Sequence, residues 1–252
     1  MHGSVTARNP RANKRAGSRL WPGEWALGLG KLLPACQVTG IDISRIMISY
    51  AKISVQEREQ GNVNFHVMDV HQPLAFPDAS FDLIHARFLV ALMRTTDWPA
   101  LLKECLRLLR PGGILCCVEG DNAGLSNSPA LQQRQLLMTN AMRQAGYCFS
   151  PLGISFGLLA AQPRLLKQAG FERLEQQAYV LNCSAGTPAH ESACDNWRTM
   201  LKLVDPFLLR QGVATQEELD LLYEQAMQEI YEPDFDCVSL IQRLWGYKPA
   251  LS

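Results

Sequence analysis

No run in this 252-residue chain approaches the roughly 18 consecutive apolar residues of a membrane-crossing helix, and no apolar segment follows the N-terminus as a secretory leader requires. A membrane span is excluded and a cytoplasmic setting expected. Neither sign of charge prevails, since 24 Lys and Arg face 24 Asp and Glu, which gives a polyanion such as bulk nucleic acid no footing. A small-molecule partner fits that balance better. The 8 cysteines contain no C-x-x-C, and Cys36, Cys116 and Cys117 lie in runs that read as buried strands, so reduced core thiols are expected. His66 reads as a strand histidine and His71 as a loop residue. Neither has a thiol or carboxylate at ligand spacing, and no metal site is expected.

Acids are missing altogether from residues 1–23, which carry Arg8, Arg11, Lys14, Arg15 and Arg19 and hardly any large apolar side chain before Leu20. Such a segment cannot bury a face, and it lacks the apolar stripe of a transit helix. Residues 1–22 are therefore expected to be aberrant or disordered. The whole chain is 47% apolar, enough for one domain with a sizeable core and an appended cap.

From Glu24 onward helix and strand patterns alternate, which implies parallel strands joined by crossover helices. CQVTGIDI (36–43), NVNFHVMDV (62–70), FDLIHARFL (81–89) and the apolar run after Gly113 read as strands. A helix over about 44–60 separates the first two. Asp97 can cap another, with Pro99 tolerated early and RPGG (110–113) ending it. Helical stretches follow near 129–146 and 159–169, and strands are predicted at 171–181 and 237–249. Thr215 and Glu218 have the spacing of a capping box for a helix to about Ile230. The stretches at about 122–170 and 183–232 are long for simple connections and read as cap insertions over the strand ends.

In an open parallel sheet, ligands bind beyond the carboxyl ends of the strands near the point where strand order reverses. Asp42, Asp69 and Asp121 fall at such ends. A carboxylate after one strand can accept both ribose hydroxyls of an adenosine. Asp69 after the next can accept from an adenine amino group, with the backbone of Val70 at the ring edge.

The runs VTGIDIS, VMDVHQPLAFPDASFDLIHARF and LLKECLRLLRPGGILCCVEGD resemble the class I S-adenosylmethionine-dependent methyltransferases over about residues 22–121. The resemblance implies a Rossmann-like α/β fold, a mostly parallel seven-stranded sheet with helices on both faces, within a methyltransferase domain at 23–252. It implies S-adenosylmethionine as cofactor. Asp42, with Ile43 beside it, would hold the ribose, Asp69 and Val70 the adenine, and His85 and Arg87 would lie near the methionine. Gly23 would be the last glycine of the cofactor loop.

That loop is the departure. The family has a strand running into D-x-G-x-G-x-G, whereas AGSRLWPG (16–23) places Gly17, Arg19 and Trp21 where the acid and the first two glycines belong. The first strand thus reads as missing or degraded. Back-translated and read one base later, the same stretch permits LDLGCGPG, and one glycine is forced by the Trp and Pro codons. A wrong reading frame before Gly23 explains the departure; genuine divergence is the rival.

Methyl transfer from a sulfonium requires alignment in a dry pocket more than a dedicated base, so no catalytic residue is assigned. Glu119, Tyr147, Phe149 and Trp197 could shape the pocket or be structural. Three classes remain: a small-molecule methyltransferase, a catalytically inactive methyltransferase-like binding protein, and a nicotinamide-dependent oxidoreductase. The last is disfavoured, because no G-x-G-x-x-G is visible in either frame.

Overall fold

The computed structural model describes residues 23–122 and 124–250, together with the backbone of residues 5–6. Eight strands in the described residues form one sheet: β1 (Val5–Thr6), β2 (Val38–Asp42), β3 (Val63–Val67), β4 (Phe81–Arg87), β5 (Leu109–Gly120), β6 (Leu125–Ser126), β7 (Glu172–Asn182) and β8 (Cys237–Tyr247). The order is β3-β2-β1-β4-β5-β8-β6, with β7 also on β8.

This corrects the expectation of a mostly parallel seven-stranded sheet. Only β2 with β3 and β4 with β5 run parallel, whereas β8 is antiparallel to β5, β6 and β7. The slot between β2 and β4, where the missing first strand belongs, holds two residues running the opposite way, with Val5 opposite Gly40 and His85. The other expectations for residues 1–22 fall outside the described residues.

Helices lie on both faces, as expected. On one, α1 (Glu24–Leu32) and α2 (Arg45–Glu57) bury Ala26, Leu27, Ile48 and Ala51 against Val38, Val63 and Phe65. On the other, α3 (Trp98–Leu108) and α5 (Leu158–Ala169) pack Leu101, Leu102, Leu165 and Leu166 with Ile84, Ala86, Leu115, Cys117 and Leu244. The 122–170 stretch thus divides. α5 covers the sheet, while α4 (Pro129–Gln144) joins α6 (His190–Arg210) and α7 (Gln216–Glu229) around Leu131, Cys194, Trp197 and Leu219.

Local signals explain most boundaries. Thr215 and Glu218 close the expected capping box reciprocally, and Ser44 caps α2 through Met47 N. Two expectations fail. Asp97 precedes α3 but gives it no side-chain cap; its carboxylate accepts from Arg94 N at 3.2 Å and Thr96 Oγ1 at 3.1 Å. RPGG does not separate helix from strand, because β5 already begins at Leu109. Its glycines allow a bend, with Gly112 at φ 74°, and Gly112 N donates to Lys248 O. All eight cysteines are free, and seven are buried.

Candidate functional site

The parallel strands β2 to β5 end on one edge of the sheet and bring Asp42, Arg87 and Gly120 to that edge. Asp42 is half-buried. Its Oδ1 accepts from Ser44 N at 2.7 Å, which turns the chain into α2, and its other oxygen has no hydrogen bond among the described residues. Ile43 follows, 60% exposed.

Asp69 lies in the loop after β3, but it is already engaged. Its Oδ1 accepts from His71 N and meets His71 Nδ1, both at 2.9 Å, and these bonds hold the carboxyl below the usual range. His71 is the loop residue expected, and its Nε2 reaches Leu92 O. Val70 is half-buried, packed on the core beneath α3. His66 sits on the edge strand β3, edge-on to Phe76. No group of His, Cys, Asp or Glu suited to a metal occurs among the described residues.

His85 and Arg87 point to the α1 face, and their surroundings are unusual. The His85 imidazole is buried and lies flat against the Trp25 indole, 3.9 Å between centroids and 3° between planes. Burial pushes its pKa down to about 3, helped by the Arg87 and Arg243 charges. Arg87 lies over the Phe88 ring, and Phe88 itself takes a left-handed φ of 51°.

Glu119 points to the opposite face of β5. Fully buried, it accepts from Leu89 N at 2.9 Å and Val90 N at 3.2 Å and so anchors the short 3-10 turn at Leu89–Ala91. Burial raises its pKa to about 8 although both amides favour the ionised form. Asp121, after β5, takes Phe156 N on its carbonyl and lies 3.5 Å from Leu159 N at the start of α5. Tyr147 and Phe149 pack on the main core, and Trp197 lies edge-on to Phe235 inside the helical cluster, so Trp197 belongs to no site at the strand ends.

Gly23 opens α1 at φ 81°, and a Cβ there would come within 2.5 Å of the Phe65 ring. A Cβ on Gly40 would come within 2.4 Å of the same ring. Phe65 therefore fills the space left by two glycines and draws α1 onto the sheet. Gly40 escaped the sequence reading, although an isolated glycine in a strand pattern is a sign of close approach. Arg243 escaped too; its signal was the one charged residue in the strand run SLIQRLWGY. A cleft of about 310 Å³ lies elsewhere, between α5 and strands β7 and β8 at Leu159, Pro163, Gln176 and Leu240.

The Methyltransferase domain family matches residues 22–113, the span from α1 into β5. A demethylmenaquinone methyltransferase of Lactococcus lactis is 31% identical over 130 residues, 51% of this chain and 49% of that protein. The methyltransferase pytC of Aspergillus terreus is 28% identical over 160 residues, 63% of this chain and 46% of that protein. The chain thus spans about half the length of the relatives it matches. Among solved structures, the YcgJ protein of Bacillus subtilis superposes with a TM-score of 0.50 at 17% identity, covering 84% of this chain and 82% of that one, a likeness of fold. The matched span contains the sheet edge with Asp42, Asp69 and Arg87, and over that span the chain is similar to methyltransferases.

Proposed function

We propose that the chain binds S-adenosylmethionine across the ends of β2, β3 and β4 and transfers its methyl group to a small-molecule acceptor. The observation that carries this is Asp42, a half-buried carboxylate at the end of β2 with one oxygen fixed by Ser44 N and the other uncommitted. That geometry fits a ribose diol. Asp69 and Val70 fit the adenine end less completely, since His71 must release Asp69 before it can accept from an amino group. Residues 23–252 act as the methyltransferase domain, with α4, α6 and α7 as the cap that shields the acceptor from water.

Bound there, the cofactor supplies a methyl group on a sulfonium. The protein's part is alignment and exclusion of water. His85 stays neutral at physiological pH and so adds no positive charge beside the sulfonium, while Gly23 and His85 flank the methionine end. The small-molecule acceptor is supported by the L. lactis relative, a demethylmenaquinone methyltransferase.

A second reading, a methyltransferase-like protein that binds without catalysis, is favoured by β1. Two antiparallel residues stand where the family's central strand leads into the glycine loop. Calorimetric titration of the purified chain with S-adenosylhomocysteine tests the proposal. Saturable binding lost in Asp42→Ala supports it. Binding that survives the substitution unchanged removes Asp42 from the site.

A further inference from the structure

Strand register places Arg87, Val118, Arg243 and Gln177 in one row across β4, β5, β8 and β7, on the same face of the sheet as the Trp25–His85 stack. On that face α1 and α2 cover β2 and β3, whereas Val118, Arg243, Trp245 and Tyr179 remain part-exposed. Two guanidinium groups thus stand two strands apart, with backbones about 10 Å from each other, and only Val118 between them. Both charges reach the buried Cys116 thiol, where each opposes the effect of burial.

Neither cation is neutralised. Arg87 and Arg243 make no hydrogen bond or ion pair among the described residues, and residues 1–23 contain no acid to offer one. Glu119 lies on the opposite face of β5, commits its oxygens to Leu89 N and Val90 N, and is held toward its neutral form. The contrast is Arg134, which the fold buries against Asp205. Arg243 is positioned instead by the Tyr179 and Trp245 rings, at 5.3 and 5.5 Å, which leave its donors unused. Gln177, beside it in the row, accepts from the Tyr179 hydroxyl and keeps its amide N–H groups to donate. Like charges held together without a counter-ion call for an anion, and a guanidinium fork suits a carboxylate or phosphate.

We propose that Arg87 and Arg243 bind an anionic group, a carboxylate or phosphate, carried by the methyl acceptor. The assignment to the acceptor rests on the methyltransferase reading. An adenosine at Asp42 extends toward β4, whereas Arg243 lies four strands from Asp42, about 19 Å away, beyond where the methyl group would stand. The aromatic rings on either side suit an acceptor with a planar body.

The test uses the full chain with inorganic phosphate and benzoate as probes, followed by calorimetry and by the ligand-dependent rise in melting temperature. Both probes, or one of them, should bind; phosphate alone assigns a phosphate-bearing acceptor and benzoate alone a carboxylate. Arg243→Gln and Arg87→Gln should each weaken binding about tenfold or more, the loss of one charge-assisted bond, while Arg243→Lys keeps most of it. Circular dichroism identifies any variant that fails to fold, and Arg243→Lys then decides the matter through the charge it preserves. Absence of binding by the native chain, or equal binding by native and glutamine variants, overturns the proposal. So does a tenfold loss of S-adenosylhomocysteine in Arg243→Gln, because the pair would then hold the cofactor's carboxylate. A chain that binds the probes through the pair but never binds S-adenosylhomocysteine supports the anion site and defeats the cofactor reading, so the two failures are distinct.

Discussion

The Trp25 indole lies parallel to the His85 imidazole at 3.9 Å, joining the first turn of α1 to the centre of the sheet beside the slot where, among the described residues, Val5–Thr6 pair. The stack encloses a histidine that two arginines already discourage from protonating. Folding here therefore requires a neutral imidazole.

Acid stability should follow from that requirement. The folded pKa of about 3 lies below the ordinary 6.5, so the folded state binds fewer protons than the unfolded chain between those values. The share His85 contributes is complete above about pH 6.5 and falls by roughly 1.4 kcal/mol for each pH unit below it until about pH 3; Glu119 offsets that fall down to about pH 4.5, so the net decline should appear between about pH 4.5 and 3. Urea denaturation across this range measures the slope. His85→Phe keeps the stack and should flatten it; an unchanged slope would move the linkage to another group.

Glu119 contributes the opposite slope. Its folded pKa of about 8 lies above the ordinary carboxyl value of 4.5, so the stability it lends is full below 4.5 and is lost as pH rises toward 8. Between about pH 4.5 and 6.5 the two groups offset each other, and above 6.5 Glu119 acts alone. Glu119→Gln, which cannot ionise, should remove the decline between pH 6.5 and 8 and expose the His85 slope between about pH 4.5 and 6.5, leaving only the behaviour below pH 4.5 unchanged. Denaturant midpoints at pH 6.5 and 8 decide it: an equal decline in the variant would contradict the assignment.

The two slopes arise at residues the sequence places in strands without revealing their partners. Composition and turn signals made β2 to β5 legible, and the Thr215–Glu218 spacing gave α7 its start, because these depend on neighbours in the chain. Pairing direction depends on distant segments. The apolar run from Cys237 to Tyr247 reads as a strand in either direction, and nothing local says that it opposes β5. A two-residue strand carries no periodicity at all. Asp42 was legible because position alone defines it; the capture of Asp69 by His71 was not, since an Asp two residues before a His also reads as an open loop.

Asp42 can be tested apart from the first motif. In a chain whose residues 16–23 are replaced by LDLGCGPG, Asp42→Ala removes acceptors for the ribose hydroxyls at about 1.5–3 kcal/mol per charge-assisted bond, and affinity should fall at least about tenfold. Ser44 N also loses its acceptor, so melting temperature must be recorded beside affinity. Asp42→Asn keeps an acceptor oxygen for Ser44 N but no charge. It should fold like the parent and bind weakly; parental affinity in this variant would exclude a charged contact to the ribose.

Replacing residues 16–23 by LDLGCGPG, with an apolar strand ahead of them, should raise cofactor affinity more than any single distal change. Two independent features motivate this. One is the codon pattern: shifted by one base, the stretch permits the family's loop at every position and forces one of its glycines. The other is the sheet, in which β2 and β4 are parallel to their outer neighbours yet, among the described residues, meet in the middle an antiparallel pair of residues. A parallel strand there would share the direction of β2 and β4 and bring its glycine loop to the edge that Asp42 and Arg87 occupy. Its glycines would let backbone amides approach the cofactor, whereas the sequence as it stands has Arg19 and Trp21 at two of those positions. It would also satisfy inner-edge backbone groups of β2 and β4 beyond the two-residue contact, so protection of Val38–Asp42 against amide exchange should rise together with affinity. Both versions should be titrated with S-adenosylhomocysteine at equal folded fraction. Tight binding by the chain as it stands would sink the reading-frame account and require another loop to cradle the methionine. A repaired chain that gains protection without gaining affinity would favour a binding protein without catalysis.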